Sequence, residues 1–215
     1  MSAPNIVLAH GLWMPGAEML FVKQRLERGG RFRCHLFAYP SARRFLDDNA
    51  RAFADFAASV GPVDGVVGHS LGGIVALRAL ALHGPLGIRR IVCLGSPLLG
   101  CRAAAALHAN PLGRRFMGPS LPTASVGATV ADWSDAVTAA HEVGVIAGTH
   151  SAGLGRVFAG FDEPNDGTVA VSETRLPGIA DHIILPVSHT GMVISATVAR
   201  QAANFLDTGA FSRSS

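Results

Sequence analysis

The stretch from Val63 to Ala76 constrains the fold more than any other part of the chain. A valine-rich apolar run leads into Gly68-His69-Ser70-Leu71-Gly72, and an apolar segment of helix-forming residues follows directly. This pattern predicts a strand, a very tight turn and a helix, with Ser70 at the turn. Because Gly68 and Gly72 carry no Cβ, strand and helix can pass closely while the turn holds the Ser70 hydroxyl out of the sheet.

The pattern Gly-x-Ser-x-Gly is weak evidence alone, because a chain of 215 residues with 25 glycines can contain it by chance. Its context strengthens the interpretation. A glycine-bearing turn, His10-Gly11, precedes it, and an aspartate and a histidine, Asp166 and His189, follow it near the ends of predicted strands. These are the additional groups that a serine needs if it is to act as a nucleophile.

Short apolar segments that alternate with helical patterns predict the fold class. In one such helix, apolar residues from Leu46 to Val60 recur at spacings of three and four. The alternation predicts an α/β protein with a mostly parallel six-stranded sheet, helices on both faces and the site at the carboxyl ends of the strands. The predicted strands are 5–9, 32–39, the run ending at Gly68, 90–94, 142–148 and 180–187.

The residues proposed for catalysis follow from the chemistry of a serine hydroxyl, which is a poor nucleophile at neutral pH. It needs an imidazole base within hydrogen-bonding reach, and a carboxylate that orients the imidazole. His189 lies on a loop of small residues after the last predicted strand, and we predict it as the base. His69 is adjacent to the nucleophile, and we expect it to pack rather than to act as a base.

Asp166 is predicted as the carboxylate of this set. The turn Asn165-Asp166-Gly167 can present one carboxylate at the edge of the sheet. Asp162, Glu163 and Asp181 are competing acids nearby, and an ordinary surface turn is the alternative interpretation. No carboxylate follows the predicted strand 90–94, so no residue at that position competes with Asp166 for the role of the acid.

The turn after the first strand, His10-Gly11-Leu12-Trp13, is the predicted place of an oxyanion hole. Gly11 lets the backbone approach the reacting group without interference from a side chain. The backbone N–H groups of Leu12 and Leu71 are the expected donors, and Trp13 is a candidate to contact substrate.

Residues 98–141 are too long for a plain crossover between two strands. We expect the surplus to form a small cap or an acyl-binding wall beside Ser70. A surface excursion without a role is the alternative. The candidate lining residues are Leu112, Phe116, Met117 and Leu121.

These motifs together resemble those of the α/β-hydrolases, and among them the small, minimal lipases and esterases. The motifs are Ala9-His10-Gly11, the turn at Ser70 with Gly73, Asn165-Asp166-Gly167-Thr168-Val169 and Ser188-His189-Thr190-Gly191. The resemblance implies one domain over residues 1–215 and an acyl-enzyme on Ser70 formed from a small-molecule ester. It implies no metal and no organic cofactor. Because the first predicted strand begins at residue 5, the resemblance to the minimal lipases also leads us to expect a fold without the two additional amino-terminal strands of the full-sized one.

Two classes of alternative remain open on these residues. The same three groups could serve a thioesterase, an amidase or an acyltransferase. The chain could also be a catalytically silent binding module, although such a module has no need for a complete set of catalytic groups.

Composition narrows the partners and the compartment. The formal charge of +3 comes from dispersed basic residues without a basic stripe, which argues against nucleic acid. Three cysteines without a paired spacing argue against a disulfide framework. Residues 1–4 lead directly into a strand, and no segment is long enough to span a membrane. We therefore expect a cytoplasmic protein, and the oligomeric state stays open.

Overall fold

The protein is described by a computed structural model that covers residues 2–109, 111–120, 130–151 and 162–213, except for the side chains of residues 114 and 116. Within these ranges, six strands form one sheet in which every neighbouring pair is parallel. The prediction of a mostly parallel six-stranded sheet is therefore confirmed. The strands are β1 (Asn5–Ala9), β2 (Arg33–Phe37), β3 (Gly65–His69), β4 (Arg90–Leu94), β5 (Glu142–Gly148) and β6 (Asp181–Leu185).

Helices cover both faces of the sheet, because the side chains of each strand alternate between two apolar cores. The α-helices are α1 (Leu20–Leu26), α2 (Leu46–Ser59), α3 (Leu71–His83), α4 (Arg102–His108), α5 (Pro111–Met117), α6 (Asp135–Ala140) and α7 (Ala196–Thr208). Val7 and Val66 face the core that is closed by α2, α3 and α6. Leu8 and Val67 face the core that is closed by α1 and α7.

The order of the strands, β2-β1-β3-β4-β5-β6, locates the crevice of the sheet. The chain leaves β1 toward β2 on one side and returns to form β3 on the other side. Open α/β sheets form their ligand crevice at the carboxyl ends of the two strands where the order reverses in this way. The register pairs Ala9 with Gly68, so the residues after β1 lie level with the residues after β3.

Some predicted element boundaries are wrong by a few residues. The strands predicted at 32–39 and 180–187 are the shorter Arg33–Phe37 and Asp181–Leu185. Before the last helix, Thr190–Ile194 is a 3-10 turn, and α7 begins only after Ser195. The Ser195 hydroxyl caps α7 by accepting a hydrogen bond from Val198 N, which fixes the start of the helix.

The three cysteines, Cys34, Cys93 and Cys101, are buried and free, as expected from their spacing. Burial raises the pKa of each thiol to about 12, so all three are neutral thiols at neutral pH. Across the described ranges, none of the helices has the length and apolar character needed to cross a lipid bilayer.

Candidate active site

The turn between β3 and α3 holds Ser70 in a strained backbone conformation. Its φ of 52° and ψ of −120° lie in a region that residues with a Cβ rarely adopt. Hydrogen bonds from outside the turn hold the backbone on both sides of Ser70. Ser70 N donates to Leu94 O at 2.8 Å, and Ser70 O accepts from the Ser96 hydroxyl at 2.7 Å. Ser96 follows β4, and its hydroxyl holds the turn. This role was not identified from the sequence.

The glycines around Ser70 are required by contacts between backbone segments. A Cβ on Gly68 would collide with the backbone of Gly73, one turn into α3. A Cβ on Gly72 would collide with the carbonyl of Ala9 at the end of β1. The predicted strand, tight turn and helix therefore form as the sequence indicated, with β1 packed directly against the start of α3.

Asp166 and His189 form a buried pair at the same edge of the sheet. Asp166 Oδ2 lies 2.7 Å from His189 Nδ1, and the aspartate is only 1% exposed. Its other oxygen, Oδ1, accepts hydrogen bonds from Thr168 N at 2.9 Å and Val169 N at 2.7 Å. Because the carboxylate accepts from Nδ1, the proton of a neutral ring lies on Nδ1, and Nε2 is left to act as a base.

Gly95, the residue after β4, lies beside this pair and directly follows the residue that contacts the turn at Ser70. A Cβ at position 95 would lie 3.1 Å from Asp166 Oδ2 and 3.2 Å from His189 Nδ1. The preceding residue, Leu94, accepts the hydrogen bond from Ser70 N. In the part of the chain that the structure describes, the Ser70 hydroxyl makes no hydrogen bond to His189. The serine therefore lies at the same edge as the pair, and within the described residues a hydrogen bond joins the aspartate to the histidine.

Two of the three carboxylates that competed with Asp166 in the sequence, Glu163 and Asp181, have other partners. Glu163 forms an ion pair with Arg102. Asp181 accepts a hydrogen bond from Phe211 N at 2.8 Å and pairs with Arg213 near the carboxyl terminus.

Glu173, which the sequence did not single out, holds the loop that carries Asp166. It is buried, and its Oε2 accepts from Ala170 N at 2.8 Å while its Oε1 accepts from Arg102 N at 2.7 Å. The carboxylate thereby ties the loop to the start of α4. Its partners are distant in sequence or are backbone groups, so no motif reveals this role.

His69 packs against His189, as expected, and also makes a hydrogen bond to it. The two rings lie 4.8 Å apart, and His69 Nε2 donates to His189 O at 3.0 Å. Burial, together with the nearby His189, lowers the pKa of His69 to about 3, so this imidazole is neutral at physiological pH. Because its Nε2 is occupied by a carbonyl, His69 serves to fix the loop of His189.

The two predicted oxyanion donors are the backbone N–H groups of Leu12 and Leu71. In the described ranges, neither of them donates to another group. The next amide along the first loop, Trp13 N, donates to the Ser41 hydroxyl at 3.1 Å. Gly11 lies beside Ser70, because a Cβ on Gly11 would be 3.3 Å from the Cβ of Ser70.

The candidate substrate-contacting residues have different environments. Trp13 is 48% exposed, and Leu112 on α5 is 79% exposed. Met117 is fully buried in a small cluster with Cys101, Ala104 and Val169. The Phe116 side chain and Leu121 lie outside the described residues.

The segment after β4 contacts two loops that lie on either side of the central strands, the loop after β5 and the loop after β2. Arg102 forms ion pairs with Glu163 and Glu173, which belong to the loop after β5. At the other end of the segment, the Ser120 hydroxyl donates to the carbonyl of Arg44, which lies in the loop after β2. Both anchors are on the carboxyl side of the sheet. The described part of this segment therefore spans the side on which the nucleophile candidate lies.

Among the described residues, no group of three or more His, Cys, Asp or Glu side chains is arranged to hold a metal ion.

Comparison with known proteins adds to this geometry. A family model described as "Alpha/beta hydrolase family" matches residues 6–203. The mature lipase BlEst2 of Bacillus licheniformis superimposes with a TM-score of 0.75 at 18% identity, over 97% of this chain and 92% of that one. The propeptide form of BlEst2 gives 0.80 at 18% identity, over 100% of this chain and 52% of that one. This chain thus spans about half of the propeptide form.

Carboxylesterase CesB (YbfK) of Bacillus subtilis superimposes with a TM-score of 0.62 at 17% identity, over 96% of this chain and 84% of that one. At these identities the likeness shows the fold alone. Among curated protein sequences, no relative matches this chain.

Proposed function

The chain belongs to the alpha/beta hydrolase family, and from that premise we propose that it cleaves carboxylic esters through an acyl-enzyme on Ser70. The observation that carries this proposal is the buried 2.7 Å contact between Asp166 and His189 at the sheet edge where Ser70 is held in its strained turn. An oriented imidazole beside a serine on such a turn is the arrangement that acyl transfer requires.

In the first half of the reaction, Ser70 Oγ attacks the ester carbonyl while His189 Nε2 takes the hydroxyl proton. The oxygen of the tetrahedral intermediate gains negative charge, which the free N–H groups of Leu12 and Leu71 stabilise. The imidazolium then protonates the departing alcohol, and the acyl group stays on the serine.

In the second half, water attacks the acyl carbonyl while His189 Nε2 takes a proton from it. The imidazolium then gives this proton to Ser70 Oγ as the bond between that oxygen and the acyl carbon breaks, so the carboxylic acid leaves and the serine hydroxyl is restored. The Asp166 carboxylate accepts from two backbone amides and from the His189 ring. Its negative charge stabilises the imidazolium that forms in each half.

Turnover of p-nitrophenyl esters tests this proposal. We expect the purified wild type to hydrolyse p-nitrophenyl butyrate, and Ser70→Ala to lose this turnover while keeping its thermal unfolding midpoint. Matched thioester and amide substrates measure the acyl bond that is preferred. Faster cleavage of the thioester or the amide would reassign the reaction, and an active Ser70→Ala variant would contradict the proposal.

Residues 98–141 are proposed as a cap that forms part of the acyl-binding wall. The contacts of Arg102 with the loop after β5, and of Ser120 with the loop after β2, support this role. A series of p-nitrophenyl esters from two to sixteen carbons tests it. We expect a preferred chain length in the wild type, and equal kcat/KM for all lengths would count against a wall.

We also propose the cytoplasm as the compartment of the protein. The neutral, buried, unpaired state of the three thiols agrees with a reducing environment. Mass spectrometry of fractionated cells tests this, and a membrane-bound or exported form would contradict it.

A further inference from the structure

His10, at the carboxyl end of β1, uses both nitrogens of its buried ring on backbone groups. The residue is 1% exposed. Its Nε2 accepts a hydrogen bond from Tyr39 N at 3.1 Å, and its Nδ1 lies 2.8 Å from Gly11 O. Because a nitrogen that accepts an N–H carries no proton, the proton of the neutral ring is on Nδ1. Nδ1–H therefore donates to the carbonyl of Gly11.

The direction of Gly11 O fixes the direction of Leu12 N–H. The two groups belong to one peptide unit, and the described backbone contains no cis peptide bond. In a trans peptide the C=O and the N–H point in opposite directions. A ring that holds the carbonyl on one side thus holds the amide of Leu12 on the other side.

The neighbouring amide cannot take over the role of Leu12. Trp13 N already donates to the Ser41 hydroxyl at 3.1 Å. Within this loop, as far as the structure describes it, the amide left to face an oxyanion is that of Leu12. The orientation of the Leu12 N–H depends on the Gly11–Leu12 peptide, whose carbonyl is hydrogen-bonded to His10.

The imidazole of His10 is itself held in place by Tyr39. The two rings stack with their centroids 4.3 Å apart, and the Tyr39 hydroxyl donates to His10 O at 2.8 Å. Burial raises the pKa of Tyr39, so its hydroxyl keeps its proton and remains a donor. On the other side, Gly16 leaves room for the ring, since a Cβ there would lie 3.4 Å from His10 Cδ2.

We propose that His10 is a positioning residue that orients the Gly11–Leu12 peptide, so that Leu12 N–H is aimed at the developing oxyanion. This inference rests on the proposed function. It assigns a specific requirement to position 10, a donor at the place of Nδ1, and it gives the ring no part in proton transfer to or from substrate.

Three substitutions separate the donor from the rest of the side chain. In His10→Asn, an amide N–H at the place of Nδ1 can still donate to Gly11 O. In His10→Gln, the amide reaches the place of Nε2, where it can accept from Tyr39 N but leaves Gly11 O without its donor. His10→Leu keeps a similar bulk and removes both hydrogen bonds.

The readouts are kcat and KM for p-nitrophenyl butyrate and the inhibition constant of an alkyl boronic acid, which forms a tetrahedral adduct on a nucleophilic serine. Removing an oxyanion donor lowers kcat by about 10² to 10³. In His10→Gln and His10→Leu the Leu12 N–H is still present but misdirected. We therefore expect a smaller fall in kcat, of about tenfold or more. We expect KM to change little, boronate inhibition to weaken in parallel with kcat, and His10→Asn to retain most of the wild-type kcat.

The outcomes distinguish this inference from the proposed function. Wild-type kcat in both His10→Gln and His10→Leu, or equal losses in His10→Asn and His10→Gln, would overturn the positioning role even if Ser70→Ala is inactive. A wild type that hydrolyses no ester would overturn both proposals. If circular dichroism shows that His10→Leu does not fold, the comparison of kcat between His10→Asn and His10→Gln tests the positioning role.

Discussion

At the residue scale, Ser96 links the end of β4 to the strained turn at Ser70. Its side chain is fully buried, and its hydroxyl donates to Ser70 O at 2.7 Å. We expect Ser96→Ala to cost about 1 kcal/mol of unfolding free energy, because one buried hydrogen bond is lost. We also expect kcat to fall, because the turn loses a contact that holds the nucleophile.

Ser59→Ala is a matched control for this change. The Ser59 hydroxyl also donates to a backbone carbonyl, that of Phe56, but at the exposed end of α2. Urea unfolding and kcat for both variants provide the measurement. Equal effects on kcat would contradict the role given to Ser96.

Asp166→Asn tests the orientation of the imidazole. The amide oxygen of asparagine can accept from the amides of Thr168 and Val169, which turns its NH₂ group toward His189 Nδ1. The ring must then accept at Nδ1 and carry its proton on Nε2, where it cannot act as a base. We expect kcat to fall by about 10³ to 10⁴.

Glu163→Gln is the control for Asp166→Asn, because Glu163 is in the same loop but pairs with Arg102. Steady-state kinetics on the two purified variants provide the measurement. A loss of activity in the glutamine variant together with an active asparagine variant would transfer the acid role to Glu163.

His69 makes the stability of the protein depend on pH. Burial and the nearby His189 lower its pKa from 6.5 to about 3, so the folded protein excludes a proton that the unfolded chain binds. This contribution does not vary above pH 6.5. As the pH falls from 6.5 toward 3, the unfolding free energy loses about 1.4 kcal/mol per pH unit from this group.

His69→Gln removes this titration and keeps an N–H donor for His189 O. We expect the stability difference between wild type and variant to shift in favour of the variant as the pH is lowered from 7 to 5. Urea unfolding at four pH values across this range measures the shift. Parallel pH dependence in the two proteins would contradict the burial of a neutral His69.

At the element scale, the proposed cap depends on a close contact between the residue after α5 and the loop after β2. Gly118 has a φ of +69°, and a Cβ on it would collide with the carbonyl of Ala42. We expect Gly118→Ala to destabilise the protein by more than the roughly 1 kcal/mol that a positive φ costs a residue with a Cβ. We also expect it to alter the preference for acyl chain length.

Gly29→Ala is the matched control for Gly118→Ala, because Gly29 has a φ of +70° and a Cβ added to it would meet no neighbour within 4 Å. Both variants carry the same backbone strain, and only one of them also collides with a neighbour. Thermal unfolding and the ester series provide the measurement. Identical behaviour would show that the contact with Ala42 is unimportant.

The elements that the sequence predicted best are those with a complete local signal. The strands at 90–94 and 142–148 have the predicted bounds, because their apolar runs end at turn residues. The path of the cap segment was not predictable, because it depends on contacts between distant residues, such as Arg102 with Glu173 and Ser120 with Arg44. The same reason hid Ser96 and Tyr39, which act on the site through backbone carbonyls.

At the scale of the whole molecule, the strand order explains why the site is where it is. The reversal between β1 and β3 opens a crevice in which the loop of His10 meets the turn at Ser70. The pair of Asp166 and His189 reaches this crevice from the far end of the chain, across Gly95. Similarity to lipases and esterases at 17–18% identity supports the fold, so the substrate must be established by experiment.

Labelling with a fluorophosphonate probe tests most directly whether His189 activates Ser70. We predict one label per folded wild-type chain, located on the peptide that contains Ser70, and labelling that is slowed by orders of magnitude in His189→Gln. Labelling of a different serine, or labelling of His189→Gln at the wild-type rate, would contradict this activation.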